Sequence, residues 1–577
     1  MLRDPSPVVA ALRRRRQQFA ARGRRVHPTV GPEFHGRTVP KNHTSCPDPP
    51  SYSIRVTSWN NKWQTRRVPR PPLEIDDGNP LDGSQINLNA RIGWLLRTWR
   101  IAGGLGLQHL SDTLRATGTT TSPAALSRRE VAGERDGRLI DGYERALGRT
   151  YGSLRAPIDT LCRTYDYRPD DLAPVLPPDD LGAFTTACRT IAGDRPSAPT
   201  GTDWLRWAEH HADGRFGLPT DLIAPHLTRL AAELGRAVGT GYQQRYEALA
   251  RLRCSRYGDT VRDVVGALIA VPGAQRLGDL MSAVCEYPEP GLLGWCADLL
   301  DHPSDLVARA ACLGIQNLRF VGGTTTEEWT AITPRLIAAT RTAVEIADLP
   351  RSTLLASTIA ASPPEVRATI PGEIRRLLPR PPHPDRWTRN RLNVHYTAAT
   401  QMADRIAGGR YGETLLGRLL FELLFDFRAT HAVTSGFLLS ASAFAPEVLR
   451  SVTDAARDST DPVIRDGAVG ALASLMLPTD EVDTDPFWVP DDQDRLHAGL
   501  RIAAFAARTP DPDLLRSCFA VPPLRVPALY SAGMSGSPVL ADVAADPTLT
   551  PVLRQRAQWW IDTGPRILDP VPAEVRP

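Results

Sequence analysis

The sequence has almost no lysine and few aromatic residues. Only Lys41 and Lys62 are lysines among its 68 basic residues, and aromatic residues make up 6% of the 577 positions. Alanine, leucine and arginine dominate instead, and this mixture favours helices over sheets. Hydrophobic residues at 42% and charged residues at 23% are ordinary for a globular protein. A chain of this length predicts two or three domains.

Long apolar runs and organised cysteine patterns are also missing. No uninterrupted apolar run approaches the roughly 18 residues that a membrane-spanning helix needs. Four arginines stand at positions 13–16 with no apolar segment behind them, so the start does not resemble a secretory signal. The eight cysteines form no CxxC pair and no zinc-finger spacing, which favours reduced and mostly buried thiols. These absences predict a cytoplasmic protein without a membrane partner.

Sequence patterns of catalysis are absent as well. The chain has no P-loop, no glycine fingerprint after a strand and no HExxH segment. No nucleophile, general base or metal ligand set can be nominated, so we expect no enzyme activity, no catalytic residue, no cofactor and no metal. The adjacent His210 and His211 do not suit chelation from one helical face, and a surface pair is favoured.

The net charge of +4 is unevenly distributed along the chain. Residues 1–70 hold 15 basic and 3 acidic residues, and residues 84–165 hold 12 and 7. The long remainder from residue 166 is acidic overall. A nucleic-acid partner, which carries one negative charge per phosphate, is therefore expected to bind the N-terminal part of the chain.

The first segment, residues 1–85, mixes arginine, proline and polar residues without sustained apolar periodicity, which predicts disorder. Three interpretations are open. The segment is a solvated tail, a basic arm that lies along DNA phosphates, or the product of a start site assigned too far upstream.

Helical periodicity begins at Ile86. Apolar residues spaced three and four positions apart predict five short helices within residues 86–168, the first marked by Ile92, Leu95, Leu96 and Trp99. Ser122 followed by Pro123 is typical of a helix start. Five short helices with brief connections predict a compact all-α domain.

A Pro-rich, acidic connector is expected over residues 169–200, and a large α-helical domain over residues 201–577. Three segments of that domain share one spacing, with Ala311, Ala468 and Ala557 at equivalent positions. The arrangement resembles the second helix of HEAT-type repeats, in which a small residue permits close stacking. The resemblance implies a HEAT-like α-solenoid, so the predicted fold class is all-α throughout.

The segment from Arg100 to Glu130 resembles the XRE, or lambda-repressor-like, helix-turn-helix family, in versions with a lengthened turn. Leu110 stands ten residues after Arg100, and Leu126-Ser127-Arg128-Arg129-Glu130 is similar to the core of the family's recognition helix. Tyr143-Glu144-Arg145-Ala146-Leu147-Gly148 is similar to a further stretch common in the family. The resemblance implies that Glu130 pairs with Arg100 and fixes the first helix against the third.

A recognition helix must offer hydrogen-bond donors to phosphates and base edges in the major groove of double-stranded DNA. The helix that starts at Ser122 buries Leu126 and presents small residues and two arginines, of which Arg128 or Arg129 could make a forked contact to guanine. The predicted DNA-binding residues are Gln108, Ser122, Ala124, Ala125, Ser127, Arg128 and Arg129.

Two departures from the family pattern are visible. Gly106 and Leu107 stand where a capping residue and glutamine are usual, so that Gln108 comes one residue late. Glu130 is followed by Val131-Ala132-Gly133, one residue longer than the usual spacing. A helical module that binds protein instead of DNA is the alternative.

These observations together predict a sequence-specific transcriptional regulator associated with the nucleoid. Its helical domain would supply homodimerisation, docking of a protein partner or effector sensing. A DNA-binding protein for plasmid or telomere maintenance is a second interpretation, and a helical interaction scaffold is a third.

Overall fold

The computed structural model describes residues 75–83, 85–131, 133, 135–165, 180–193, 198–212, 215–379, 389–408, 414–475, 484–489, 492–505 and 509–570. Among these residues there are 27 α-helices and no strand, which confirms the predicted all-α fold class. A single isolated backbone bridge joins Ala237 and Ile567. Residues 1–74 of the predicted disordered segment over residues 1–85 lie outside the described residues.

The helices are α1 (Leu88–Ala102), α2 (Leu107–Ala116), α3 (Pro123–Val131), α4 (Gly137–Ala146), α5 (Arg155–Thr164), α6 (Leu181–Ala192), α7 (Gly201–Ala212), α8 (Thr220–Leu234), α9 (Gly239–Arg253), α10 (Gly258–Ile269), α11 (Leu277–Cys285), α12 (Leu292–Asp298), α13 (Asp305–Phe320), α14 (Thr326–Glu345), α15 (Leu349–Ala361), α16 (Pro364–Thr369), α17 (Gly372–Leu377), α18 (Arg389–Ala407), α19 (Thr414–Phe425), α20 (Ala429–Ala441), α21 (Ala445–Asp458), α22 (Pro462–Leu475), α23 (Gln493–Phe505), α24 (Pro512–Ala520), α25 (Arg525–Ser535), α26 (Val539–Ala545) and α27 (Pro551–Thr563).

The helices beyond α6 pack mostly against near neighbours in sequence, which gives this region a repeat-like character. For example, α11, α13 and α15 pack in succession, and α14 packs against α15. The three predicted repeat segments lie in α13, α22 and α27. Their shared alanines, Ala311, Ala468 and Ala557, are fully buried. Small side chains at these positions let neighbouring helices approach closely.

The C-terminal end of the chain returns to α9, a helix that is buried along almost its whole length. The guanidinium group of Arg245 lies 3.1 Å from the carboxylate of Asp569, and the backbone N–H of Ile567 donates to the carbonyl of Arg236 over 2.9 Å. Residues that follow α27 therefore contact α9 and the residue Arg236 before it, whereas an open solenoid keeps its ends apart.

The predicted separate domain over residues 86–168 differs from the structure, because α1–α5 share one hydrophobic core with helices from α18 to α23. All residues of α1 from Ala90 to Thr98 are buried, and the indole N–H of Trp99 donates to the carbonyl of Ala441 over 2.7 Å. Apolar periodicity reveals only one face of α1. Its second face is buried although it carries polar residues such as Arg91 and Arg97.

Arg91 explains how a polar face can be buried. Its guanidinium group donates to Asp77 over 2.8 Å and to both carboxylate oxygens of Glu422 over 2.7 and 2.8 Å. Arg418 and Ser435 donate to the same Glu422 carboxylate. Every charge in this cluster is therefore paired and hydrogen-bonded, which is the condition for keeping ions out of water.

Glu422 makes the stability of the fold dependent on acid. Burial opposes ionisation of this carboxyl group, but the guanidinium groups of Arg91 and Arg418 outweigh burial and lower the pKa of Glu422 to about 2. In the unfolded chain the pKa is about 4.3. Because the folded value is the lower one, the ionised group stabilises the fold above about pH 4.3, and this contribution is lost as the pH falls towards 2.

We expect this dependence to disappear when Glu422 is replaced by glutamine. At neutral pH the melting temperature of Glu422→Gln should lie well below that of the native chain. The difference should shrink as the pH falls from about 5 towards 2, because Glu422 of the unfolded chain takes up a proton below about pH 4.3 while the folded protein keeps this carboxyl group ionised down to about pH 2. Thermal melting of both proteins across this range measures the effect. A difference in melting temperature that is the same at both ends of the pH range would contradict the proposed pH-dependent stabilisation by Glu422.

The predicted disordered segment ends earlier than residue 85. Ile75 and Asp77 are buried, and residues 79–83 run past α19 and α20. Arg418 donates to the carbonyls of Asn79 and Pro80, and Arg428 donates to those of Leu81 and Gly83. The sequence around residues 75–85 does not predict these contacts, because the arginines that make them lie more than 300 residues further along the chain.

The predicted linker over residues 169–200 contains helix α6. Asp180 caps its first turn, and Phe184 packs with its ring centroid 5.2 Å from that of His211. His211 is fully buried and His210 nearly so, which corrects the expected surface pair. The reason is that α6 and the aromatic residue Trp207 cover the two imidazoles.

Candidate nucleic-acid interface

The turn between α2 and α3 is held by local hydrogen bonds. The Ser111 hydroxyl donates to the carbonyl of Thr121 over 2.6 Å, and the N–H of Thr119 donates to the carbonyl of Leu114 over 2.8 Å. Gly118 adopts a φ of +88°, which a residue with a side chain rarely does. The Ser122 hydroxyl accepts from the N–H of Ala125 over 3.2 Å and caps α3. The start of α3 is therefore fixed in position relative to α2.

Arg100 and Glu130 are in direct contact. The guanidinium group donates to both carboxylate oxygens over 2.5 and 2.7 Å, and a further N–H of Arg100 donates to the carbonyl of Leu105 over 2.8 Å. The Tyr143 hydroxyl donates to Glu130 over 2.8 Å. The structure thus places the expected Arg100–Glu130 pair at the junction of α1 and α3 and adds a contact from α4 that sequence reasoning missed.

Two glycines let α1 and α3 approach each other. A Cβ atom at Gly93 would lie 2.6 Å from the carbonyl oxygen of Glu130, and one at Gly133 would lie 2.3 Å from the backbone nitrogen of Gly93. Such distances leave no room for a side chain at either position. Gly133 falls where the chain leaving α3 crosses α1.

The exposed face of α3 carries most of the predicted DNA-binding residues. Leu126 and Glu130 are buried and define the inner face. Ser122, Ala124 and Arg128 are exposed, whereas Ala125, Ser127 and Arg129 are half-buried. The helix packs chiefly against α1 and α2, so its outer face stays open. A helix with small residues at its start and arginine one turn later can bring its backbone close to base edges.

The two arginines of α3 differ in their surroundings. Arg129 lies 3.9 Å from the carboxylate of Asp136, a weak partly exposed pair. Arg128 is exposed and has no ion-pair partner among the residues that the structure describes. Of the two, Arg128 is therefore the guanidinium group that can donate to a base edge or a phosphate without first breaking a contact.

Gln108 is exposed near the start of α2, but its amide is engaged by its own helix. It donates to both carboxylate oxygens of Asp112 over 3.1 Å, and Arg115 donates to the same carboxylate over 2.9 Å. The Asp112 side chain is half-exposed, so a negative charge stands on the outer face of α2. Contact of Gln108 with DNA would require its amide to leave Asp112.

Glu144 in the Tyr143–Gly148 motif has a structural role that the motif did not disclose. Its buried carboxylate accepts from the backbone N–H groups of Gly152, Leu154 and Arg155 over 2.7 to 3.0 Å. These are donors at the start of α5 that no earlier turn of helix can satisfy. Glu144 therefore fixes the angle between α4 and α5.

A buried ionic cluster joins α4 and α5 to the helices beyond them. Arg155 on α5 lies 3.3 Å from Glu209 on α7, and Arg251 on α9 lies 2.6 Å from Asp159 on α5. Arg163, near the end of α5, pairs with Glu247 on α9 and with Glu286 just after α11. These last two distances are 2.8 and 2.5 Å. The region from α1 to α5 is thus fixed to the helices beyond it by charges as well as by its apolar core.

Neither a metal site nor a membrane span emerges from the described part of the chain. No group of three or more histidine, cysteine or acidic side chains there is arranged to hold a metal ion. No helix within the described ranges combines the length and the apolar character that crossing a bilayer requires.

Comparisons with known proteins assign no family to this chain. No model of a known protein family matches it, and no curated protein matches it. Among solved structures it is similar to the crystal structure of an engineered protein, at 13% identity with a TM-score of 0.17, over 65% of this chain and 98% of that one.

Proposed function

We propose that the chain is a sequence-specific DNA-binding transcriptional regulator that reads the major groove with α3. The observation that carries the proposal is the open outer face of α3. Arg128 is exposed on this face, and the Arg100–Glu130 pair holds the inner face of α3 against α1. A base-reading helix needs a free donor on one face and rigid support on the other, because a mobile guanidinium group cannot select one base.

The proposal is tested by selecting bound DNA from a random pool with the full chain. Arg128→Ala should then weaken binding to the selected site by about 1–3 kcal/mol and relax preference at one position, as loss of a forked guanine contact does. Arg341→Ala is the matched control, since Arg341 is an exposed arginine on α14. It should leave the binding isotherm unchanged.

The outcomes separate the candidate functions. Selection of no sequence, with weak salt-independent binding, would contradict DNA recognition and favour a helical scaffold. Equal losses for Arg128→Ala and Arg341→Ala would mean that only overall charge matters. A selected site found at replicon origins or ends, and not at promoters, would favour the maintenance role instead.

Substitution of Asp112 should change DNA affinity in the opposite direction to Arg128→Ala. Its exposed carboxylate lies on α2 beside Gln108 and repels phosphate, so Asp112→Asn should tighten DNA binding. The gain should be about 1 kcal/mol, the size of a unit charge acting over roughly 4 Å through water, and it should fade with added salt. Fluorescence anisotropy at two salt concentrations measures it.

The matched control for this effect lies on α21. Asp454→Asn removes an exposed carboxylate that is likewise paired with an arginine three residues later. No change in DNA affinity is expected for that variant. Weaker binding by Asp112→Asn would instead show that the Gln108–Asp112 contact orders the DNA-binding surface.

The helical region from α6 to α27 would then supply homodimerisation or the docking of a protein partner, and DNA binding would place the protein on the nucleoid. Light scattering of the full chain, with and without the selected DNA, tests the homodimer directly. A monomer under both conditions would leave a protein partner as the role of the region.

A further inference from the structure

Two buried thiols of the helical region lie in contact. The sulfur of Cys285, the last residue of α11, is 3.6 Å from that of Cys296 on α12. Both residues are fully buried. Among the described cysteines all are free thiols. A disulfide bond requires about 2.05 Å between sulfur atoms, so closure needs a movement of roughly 1.5 Å shared by two short helices.

A glycine on a third helix makes room for the pair. A Cβ atom at Gly314 on α13 would lie 2.9 Å from the sulfur of Cys285 and 3.3 Å from that of Cys296. Glycine within a helix costs stability relative to alanine. Here it allows two sulfur atoms to lie side by side against α13.

We propose that Cys285 and Cys296 form a reversible disulfide bond when the protein reacts with hydrogen peroxide. One thiolate attacks a peroxide oxygen, the O–O bond breaks, and a sulfenic acid forms. The second thiol then attacks that sulfur, the S–O bond breaks and water leaves. In total two protons and two electrons pass from the thiols to the peroxide, which is reduced to two molecules of water.

The rate of closure should be slow and should rise with pH. The hydrogen bond with Cys285, together with burial, raises the pKa of the Cys296 thiol well above its ordinary value. Since the thiolate is the reactive form, few molecules react at once near neutral pH. Burial also raises the pKa of the Cys254 thiol, but Cys254 is exposed, so peroxide reaches its sulfur directly and it should react before the buried pair.

The position of the pair gives the bond a consequence for α5. Glu286 directly follows Cys285, and its carboxylate accepts from Arg163 over 2.5 Å and from the Tyr246 hydroxyl over 2.6 Å. A shift of about an ångström at Cys285 would strain both short contacts. We therefore expect the disulfide to loosen the end of α5, where Arg163 lies.

Mass spectrometry of the full chain tests the bond itself. Trypsin releases both cysteines in one peptide, residues 277–309, because no lysine or arginine intervenes, whereas Cys312 falls in the next peptide. After exposure of the folded protein to hydrogen peroxide and alkylation in denaturant, the expected peptide is lighter by two hydrogens and carries no alkyl group. Dithiothreitol should restore both alkylated cysteines.

Variants locate the bond. Cys285→Ser and Cys296→Ser should each abolish the closed peptide, whereas Cys312→Ser, which replaces a third buried thiol, should keep it. The proposal is overturned if both cysteines remain alkylated at a peroxide dose that fully oxidises Cys254, or if closure occurs only in unfolded protein. The native-chain measurement stands even where a variant fails to fold.

Hydrogen exchange tests the effect on α5. Residues 155–164 should exchange faster in the oxidised protein than in the reduced protein, and Cys296→Ser treated with peroxide should show no difference. Closure with unchanged exchange in α5 would support the disulfide and contradict its effect on Arg163.

Discussion

Replacing Arg91 with methionine is expected to destabilise the protein by about 3–5 kcal/mol, the cost of leaving buried charges without a partner. Methionine fills much of the space but leaves Asp77 and Glu422 facing an apolar side chain in a region closed to water. Because Asp77 precedes α1 and Glu422 lies on α19, the loss should detach residues 75–83 and loosen the contact between α1 and the C-terminal half.

Thermal melting of the full chain measures the effect, and limited proteolysis locates it, with early cleavage expected near residues 75–83. Arg450→Met is the matched control, since Arg450 forms an exposed pair with Glu447. Exposed pairs contribute about 0–1 kcal/mol, so this variant should melt like the native chain. Equal melting temperatures of the two variants would show that the buried cluster does not hold residues 75–83 and α1 against α19.

Arg100→Ala should have the second largest effect, again about 3–5 kcal/mol, because the buried Glu130 would lose its ion-pair partner and retain the hydrogen bond from Tyr143. The variant should also lose DNA affinity, since α3 would no longer be fixed against α1. It should therefore differ from Arg128→Ala, for which DNA binding alone is expected to fall while the melting temperature stays the same.

Tyr143→Phe provides the graded comparison for this cluster. It removes one hydrogen bond to Glu130 and keeps the ion pair, so the expected cost is about 1 kcal/mol. The order of melting temperatures should be native, then Tyr143→Phe, then Arg100→Ala. An Arg100→Ala protein as stable as Tyr143→Phe would mean that Glu130 is satisfied by groups other than Arg100.

The sequence predicted the helices well and their assembly poorly. The apolar spacing of Ile92, Leu95 and Leu96 and the Ser122-Pro123 start describe local geometry, which depends on nearby residues. The far side of α1 is buried through Arg91, whose partner Glu422 is 331 residues away. No periodicity connects such residues, so the expected boundary between a helix-turn-helix domain and a separate helical domain could not be corrected from the sequence.

The candidate interface also has features that the sequence could predict and features that it could not. The burial of Leu126 and Glu130 and the helix start at Ser122 could be predicted because the motif gives their positions in α3. The difference between Arg128 and Arg129 depends on Asp136, and the engagement of Gln108 depends on Asp112; both are side-chain contacts that spacing does not encode. Gly133 offered a signal that could have been used, since a glycine just after a helix permits a close approach of two backbone segments.

The shared core of α1 with the C-terminal half has a geometric consequence for the proposed activity. A DNA-binding domain on a flexible linker can rotate relative to the rest of its chain, so a dimer of such proteins tolerates half-sites at various distances along DNA. Here the Trp99–Ala441 hydrogen bond and the Arg91–Glu422 pair prevent α1 from rotating relative to α19 and α20. If two copies bind DNA as the proposed homodimer, they would keep one mutual orientation, and inserting half a helical turn of DNA between their half-sites should abolish joint occupancy.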